Sequence, residues 1–372
     1  MVKIGIIGGG QLARMMIPAA INLGLEVRVF AESENEPAKL AVTQIGDYRV
    51  QSQLEEFARS VDVITFDHEH VPTSSLLALQ EKGFRIAPSP QALSLTHNKI
   101  AMREALQTIN CPQPLWSVAT GEIDRENALA EVGGFPCIAK KPIGGYDGKG
   151  VRLISSWSEI GDWLSEGPVL LEERVQFIRE MAQLVARREG GEIKGWPVVE
   201  TRQSEGVCSE VFAPAPDLAE DKSMTAKTIA ETIAESFGIV GVLAVELFET
   251  GDGKVLVNEL AMRPHNSGHI FTELSRTSQF EQHLRAVADM PLGDVALAWP
   301  RGVMANIFGE VNPDRLAFAL EQYPQAKVHP YQKPPRPGRK AGHISVVGSD
   351  LDELFSMASG VRAILGDSSY AG

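Results

Sequence analysis

Short apolar, β-branched runs alternate along the chain with stretches whose hydrophobic residues recur at helical spacing, and glycine or proline clusters separate them. That is the rhythm of an α/β protein. Lys3 to Ile7 is the first such run; Gly8-Gly9-Gly10-Gln11-Leu12-Ala13 then turns the chain, a helical pattern continues to Leu23, and Gly24 ends it. The strand Leu25 to Phe30 completes a βαβ start whose glycine turn lies at the carboxyl end of the first strand. Strands are also predicted over Val61–Phe66 and Arg85–Ala87, with a helix over Ser74–Lys82 between them, so residues 1–110 read as a doubly wound, Rossmann-like domain. One helical segment spans Pro90–Ile109 and runs into Cys111-Pro112-Gln113-Pro114, whose prolines mark a boundary.

Residues 111–300 follow a different pattern, with a small lid at about 111–174. A strand over 135–142 carries Lys140, a glycine loop runs from Gly144 to Gly150, an apolar strand reaches Ile154, a helix lies around Ser158–Leu164, and the strand from Val169 ends in Glu172-Glu173. Four glycines between 144 and 150 let that loop lie over a triphosphate, with backbone N–H groups for its oxygens and Lys149 for charge; a plain hairpin turn is the alternative. Strand, glycine loop, strand is not a P-loop, which leads from strand into helix. Helices over Ser223–Phe237 and Phe280–Met290 are expected to pack behind the sheet that carries the hairpin described next. From residue 301 a strand (Val303–Phe308), a helix (Pro313–Tyr323), the run Lys327–Tyr331, a strand (Ala341–Val347) and a helix (Asp350–Leu365) make a small C-terminal domain, 301–372.

The runs Val242–Glu249 and Lys254–Ala261 flank Asp252-Gly253, turn chemistry that favours a two-residue hairpin. Closing it between Gly251 and Lys254 sets Glu246 opposite Glu259. Like charges facing one another across a ladder destabilise it, so a hard cation with oxygen ligands, Mg²⁺, is expected between them. The alternative is a pair of acids facing solvent. Arg263-Pro-His265-Asn266-Ser267-Gly268-His269 follows at once, placing donors and a proton carrier beside that position.

Composition narrows the partners. With 35 basic and 48 acidic residues the net charge is −13, which opposes nucleic acid and offers no polybasic surface to a membrane. Cys111, Cys137 and Cys208 are odd in number and far apart, giving neither a disulfide framework nor a metal knuckle, as suits a reducing, cytoplasmic setting. Asp67-His68-Glu69-His70 sits at the carboxyl end of a parallel strand, where open sheets bind ligands, but two histidines without a third partner read as loop residues rather than metal ligands. Gly8-x-Gly10-x-x-Ala13, with Glu32 downstream, also fits a dinucleotide fingerprint, though such a turn can hold any phosphate.

The order of parts, Lys140 strand, glycine loop, Glu172-Glu173, Glu180, then Glu246 and Glu259 followed by Asn266, resembles the ATP-grasp superfamily. Gly9-Gly10-Gln11-Leu12, Gly145-Tyr146-Asp147-Gly148-Lys149-Gly150, Asn258 to His269, and Pro335-Arg336-Pro-Gly-Arg339-Lys340-Ala-Gly-His343 are similar, within it, to the N5-carboxyaminoimidazole ribonucleotide synthase (PurK) family over residues 3 to about 348. The resemblance implies an ATP-grasp fold and an ATP-dependent carbon–nitrogen ligase of purine biosynthesis. Such an enzyme carboxylates 5-aminoimidazole ribonucleotide with bicarbonate through carboxyphosphate, and it works as a homodimer.

By the same resemblance Lys99, Lys140 and the loop Gly145–Gly150 contact ATP, Glu172, Glu173 and Val175 line the adenine pocket, and Glu180 binds the ribose with Gln203 close by. Asn258 adjoins the metal held by Glu246 and Glu259; Arg263, His265 and Asn266 hold bicarbonate or carboxyphosphate. Gln11, Leu12, Glu69, Arg336, Arg339 and Lys340 receive the ribonucleotide. Met262, Asp67, Val151 and Gln203 depart from the family's usual residues, and none of them belongs to the carboxylate pair. Rival readings are a formate-dependent glycinamide ribonucleotide transformylase on the same scaffold, an NAD-dependent oxidoreductase built on the N-terminal turn, and a catalytically dead nucleotide-binding module.

Overall fold

The N-terminal sheet of the computed structural model consists of four parallel strands, β1 (Lys3–Ile7), β2 (Glu26–Ala31), β3 (Val42–Ile45) and β4 (Val63–Phe66), in the order β3-β2-β1-β4. Residues 2–144, 150–204 and 206–366 are described; Gly145–Lys149 of the glycine loop lie outside them. Ile4, Ile6 and Ile7 are wholly buried because helices cover a parallel sheet on both faces. The strand Val42–Ile45 escapes the pattern analysis, since four residues of Val-Thr-Gln-Ile carry too little apolar signal. Arg85–Ala87, expected as a strand, adds only a single parallel bridge between Ile64 and Ile86.

The helix expected over Pro90–Ile109 is two helices, Pro90–His97 and Lys99–Thr108. Asn98 leaves the helical region at φ −121° and its Oδ1 accepts from the amides of Ile100 (3.0 Å) and Ala101 (3.3 Å), capping the second helix. This break turns Lys99 and Arg103 toward the interior, where both are buried.

A second sheet, β5 (Trp116–Ala119), β6 (Cys137–Lys140), β7 (Val151–Ile154) and β8 (Val169–Glu173), is antiparallel in the order β5-β8-β6-β7. Its strands alternate: Cys137 and Ala139 pack under the helix Arg125–Glu131, while Ile138 and Lys140 face a large cavity. The third sheet is antiparallel throughout: β9 (Phe177–Arg187), β10 (Ile193–Gly195), β11 (Val199–Ser204), β12 (Val207–Ala213), β13 (Gly241–Thr250), β14 (Val255–Ala261), β15 (Arg301–Gly309), β16 (Lys327–Pro330) and β17 (Arg336–Gly348). Its order is β14-β13-β9-β11-β12-β15-β17-β16, with β10 beside β9. Strands beyond residue 300 therefore extend the central sheet through the β12–β15 pairing and build no sheet of their own.

The helix Glu220–Ser236 packs on the face of β13 that presents Leu243, Val245 and Leu247, as expected. The helix Gln279–Val287 lies instead on the opposite face, with Val242 and Ala244 and hence with Glu246, because the side chains of a strand alternate. Its His283 is fully buried, takes the Val242 amide on Nδ1 (3.0 Å) and meets Thr65 Oγ1 with Nε2 (2.8 Å), joining the central sheet to the N-terminal one.

Burial pushes the His283 imidazole down to about 3. The unfolded chain protonates it below about pH 6.5, so its contribution to stability is complete above that value and is lost as pH falls toward 3. Between pH 7 and pH 5 the parent protein should lose about 2 kcal/mol more unfolding free energy in urea than His283→Gln. Equal losses would show that the imidazole is charged or solvated in the folded protein.

Candidate functional site

Glu246 stands opposite Glu259 as the sequence predicts, but by another route. The turn is longer than expected: Thr250 N donates to Lys254 O (3.0 Å) and Gly253, at φ 81°, donates to Thr250 O (2.9 Å), leaving Gly251-Asp252-Gly253 in the loop. That turn alone would leave Glu246 one residue out of step. A β-bulge corrects it, for Leu247 pairs with Val257 while Glu246 pairs with Glu259, and Asn258 is the extra residue. Consecutive strand residues normally point to opposite faces; at this bulge Asn258 and Glu259 both line the same cavity.

Arg103 holds the bulge. It is completely buried and donates through Nε to Glu172 Oε1 (2.8 Å) and through its terminal nitrogens to the carbonyls of Val257 (2.8 Å) and Asn258 (2.9 Å). The other oxygen of Glu172 meets Lys140 Nζ (2.8 Å), and Lys140 reaches Asn258 Oδ1 (3.3 Å), which closes a ring of four residues. Burial pushes the Glu172 carboxyl up, yet the Lys140 and Arg103 charges outweigh it and hold it down at about 2. One turn earlier on the same helix, Lys99 pairs with Glu259. The sequence reading missed Arg103; its one signal is the four-residue spacing from Lys99, which puts both cations on one helical face.

His265 and Asn266 are set by partners that the sequence reading also missed. Gln279, fully buried, takes the His265 amide (2.8 Å) and donates to its carbonyl (2.8 Å). The imidazole meets Glu246 Oε1 with Nε2 (3.2 Å) and Ser267 Oγ with Nδ1 (2.8 Å). Burial raises the Glu246 carboxyl, but the His265 hydrogen bond and the His265, Lys340 and Lys99 charges bring it below the ordinary carboxylate range. Asn266 exchanges two amide hydrogen bonds (3.0 and 2.8 Å) with Asn306, a wholly buried residue of β15.

These groups border a cavity of about 680 Å³, a volume typical of small-molecule sites. Lys99, Lys140, Glu172, Glu173, Val175, Glu180, Gln203, Glu246, Asn258, Glu259, His265, Asn266 and Lys340 all line it. One end is apolar, with Ile138, Leu153, Phe177 and Phe248, the last two stacked at 4.7 Å and 9°. Glu173 is fixed by the Leu115 amide (2.8 Å). Glu180 is hydrogen-bonded to Gln203 and its carboxyl is raised by burial. Cys208, with its thiol pushed up to about 12 by burial, is inert lining. Lys340, grouped in the sequence reading with Arg336 and Arg339, enters this cavity without them; Arg336 is exposed and Arg339 half-buried on β17.

The glycine turn forms a second polar centre. Glu36 takes the Gly9 amide (2.9 Å) and Asp67 the Ala13 amide (2.7 Å), with the Gly10 and Gln11 amides between them. Two acidic side chains thus occupy donors on which a dinucleotide's pyrophosphate would rest. A Cβ on Gly10 would lie 2.1 Å from Asp67 Oδ2, so only glycine fits there. Asp67 is pushed up to about 6 by burial, against the pull of the Ala13 amide and of Arg263 and Lys333; Lys333 was not foreseen. Leu12, expected to contact the ribonucleotide, is buried and its backbone amide is turned to Asp67. Glu69 takes the Met262 amide (3.0 Å) and pairs with Arg263 (3.3 Å); unlike His265 and Asn266, Arg263 does not line the cavity. Glu32 pairs with Arg49 (2.9 Å). His68 and His70 stack on each other at 5.3 Å, and burial pushes His68 down to about 3. Of the glycine loop, only its flanks are described: the Gly150 carbonyl accepts from Lys141 N (2.8 Å), and Tyr146, Asp147, Gly148 and Lys149 lie outside the described residues with Gly145.

Three family models match in chain order: a ribonucleotide synthetase preATP-grasp domain at residues 1–97, an ATP-grasp domain at 104–280, and a phosphoribosylaminoimidazole carboxylase C-terminal domain at 302–356. The chain is 45% identical to the N5-carboxyaminoimidazole ribonucleotide synthase of Mycobacterium bovis, over 95% of this chain and 86% of that one. An ADP complex of an N5-carboxyaminoimidazole ribonucleotide synthetase superposes with a TM-score of 0.90 at 32% identity, covering 97% and 96% of the two chains. The Aspergillus clavatus N5-carboxyaminoimidazole synthase, crystallised with ADP and 5-aminoimidazole ribonucleotide, gives 0.87 at 29% identity over 98% of each.

Removing the central carboxylate of the four-residue ring leaves two buried cations uncompensated. Glu172→Gln should therefore cost about 3–5 kcal/mol in urea unfolding at neutral pH. A loss below about 1 kcal/mol would mean that Arg103 and Lys140 find other partners.

Proposed function

The chain belongs to the N5-carboxyaminoimidazole ribonucleotide synthase family, and we propose how its own residues carry out that family's reaction. The protein is an ATP-dependent ligase that carboxylates 5-aminoimidazole ribonucleotide in purine biosynthesis. In our reading bicarbonate supplies the carbon. One of its oxygens bonds to the γ-phosphorus as the bond to the β-phosphate oxygen breaks, giving carboxyphosphate and ADP. The ribonucleotide's amine nitrogen then bonds to the carboxyl carbon, phosphate leaves, and the amine proton is released.

The observation that carries this reading is the paired carboxylates in a cavity that also holds Lys99, Lys140 and His265. Glu246 and Glu259 supply hard oxygen donors, and no group of three or more His, Cys, Asp or Glu gathers as a closed cage among the described residues. A cation held there would complete its shell with oxygens from phosphates and water, the habit of Mg²⁺. Mg²⁺ would neutralise charge on the phosphate oxygens during transfer. Lys140 and Lys99 add positive charge along the phosphates, Glu180 and Gln203 take the ribose, and Val175 with Phe177 and Phe248 encloses adenine. Arg263, His265 and Asn266 hold bicarbonate beside the γ-phosphate, with His265 oriented by Ser267 and Gln279. The Gly10 and Gln11 amides and the charges of Arg336 and Arg339 receive the ribonucleotide phosphate, Glu69 the ribose, and Lys340 adds its charge within the cavity. Closure of Gly145–Gly150 keeps water from carboxyphosphate.

We assign residues 1–110 to the ribonucleotide, 111–300 to ATP and 301–372 to completing the site between them. We also take the protein to be a cytoplasmic homodimer, which light scattering tests by the mass of two chains. Among the described residues no helix is long and apolar enough to cross a membrane.

ADP release, measured with ATP, bicarbonate and the ribonucleotide each omitted in turn, should require all three. Activity with formate and not bicarbonate would transfer the protein to the transformylase reaction. Glu259→Gln should lower turnover at least about a hundredfold while the fold survives. Turnover near the parent's would show that the cation is held elsewhere.

A further inference from the structure

We propose that Arg103 is a positioning residue: by gripping the β-bulge from behind, it sets the spacing of Glu259 from Glu246 and so tunes the affinity for the divalent cation. The proposal rests on the carboxylate pair being the metal site, and extends it to a residue that touches neither nucleotide nor metal. Three observations carry it.

First, the two carbonyls that Arg103 engages are those of Val257, the paired residue before the register shift, and of Asn258, the extra residue of the bulge itself. Because β14 is the edge of its sheet, the Val257 carbonyl that faces away from β13 has no strand partner, and the bulge brings the Asn258 carbonyl to the same guanidinium. A planar guanidinium, with five N–H groups in a fixed fork, can serve both at once; a lysine cannot. Second, the arginine is fully buried, and its charge is balanced by Glu172, itself bound to Lys140. Such a network is weak evidence for stability, since apolar residues of the same volume often serve as well, whereas only its directed donors can hold two carbonyls in place. Third, Lys140 completes the ring by donating to the Asn258 side chain, and Lys99, a helical turn from Arg103, holds the carboxylate of the next residue. One helix thus grips residues 258 and 259 from adjacent turns near its start.

The test compares Arg103→Lys and Arg103→Met with the parent in two measurements: the Mg²⁺ concentration giving half-maximal ADP release, and the affinity for ADP without metal by calorimetry. In Arg103→Lys, folded by circular dichroism, the Mg²⁺ requirement should rise at least about tenfold, while metal-free ADP affinity changes less than about threefold. A requirement equal to the parent's in both folded variants overturns the proposal. So does an equal fall in the two affinities, which would mark a general loss of structure. A chain that folds with neither substitution also counts against it, because Arg103 would then be needed for the sheet itself. Glu259→Gln, measured alongside, separates the two levels of the argument: if its Mg²⁺ requirement matches the parent's, the metal reading fails first and takes the proposal with it.

Discussion

Two carboxylates placed opposite one another on adjacent strands repel, and the site can be read as the set of groups that make this arrangement tolerable. Lys99 answers Glu259, and His265 answers Glu246. Each partner comes from a different part of the chain: one from the helix that Asn98 starts, the other from the loop that follows β14. Because a protein with net charge −13 has no general attraction for a triphosphate, local gathering of positive charge on this one cavity is the condition for binding it. Lys99, Lys140 and Lys340 supply it there.

The same constraint explains why the site needs all three sheets. The lid sheet contributes Lys140 and Glu172, the central sheet the paired acids, and β15 and β17 the residues Asn306 and Lys340. Glu69, just beyond β4 of the parallel sheet, pairs with Arg263 from the loop that follows β14. Asp67 and Glu36 take up amides of the glycine turn on which a pyrophosphate would rest. Phosphoryl transfer asks little covalent help and much alignment, and buried side chains such as Gln279 and Asn306, each making two or more hydrogen bonds, provide it.

Much of this was legible in the sequence, for uneven reasons. Strands β1, β8 and β13 announce themselves by apolar runs, and the glycine turn by its composition; β3 does not, being short and half polar. The facing of Glu246 and Glu259 was foreseen from a two-residue turn that does not exist; a longer turn and a bulge cancel, and no rule of turn chemistry reveals the second from the first. The break at Asn98 was hidden because helical propensity is continuous there and only the cap shows the boundary. Arg103, Gln279 and Asn306 act through contacts far away in sequence, so periodicity marks them only as part of a helix or strand. Lys340 was separated from Arg336 and Arg339 by the alternation and bulging of β17, which local composition cannot order.

The central claim is that the two facing acids, brought together by the bulge, are the seat of a divalent cation beneath the nucleotide's phosphates. A crystal grown with Mn²⁺ and a non-hydrolysable ATP analogue tests it most directly, because the ion's anomalous signal fixes its position independently of the nucleotide. The account predicts a peak between the carboxylates of Glu246 and Glu259, about 2.0–2.3 Å from an oxygen of each, with further ligands from the phosphates. A peak away from that pair, or a triphosphate seated on residues 8–12, would contradict it.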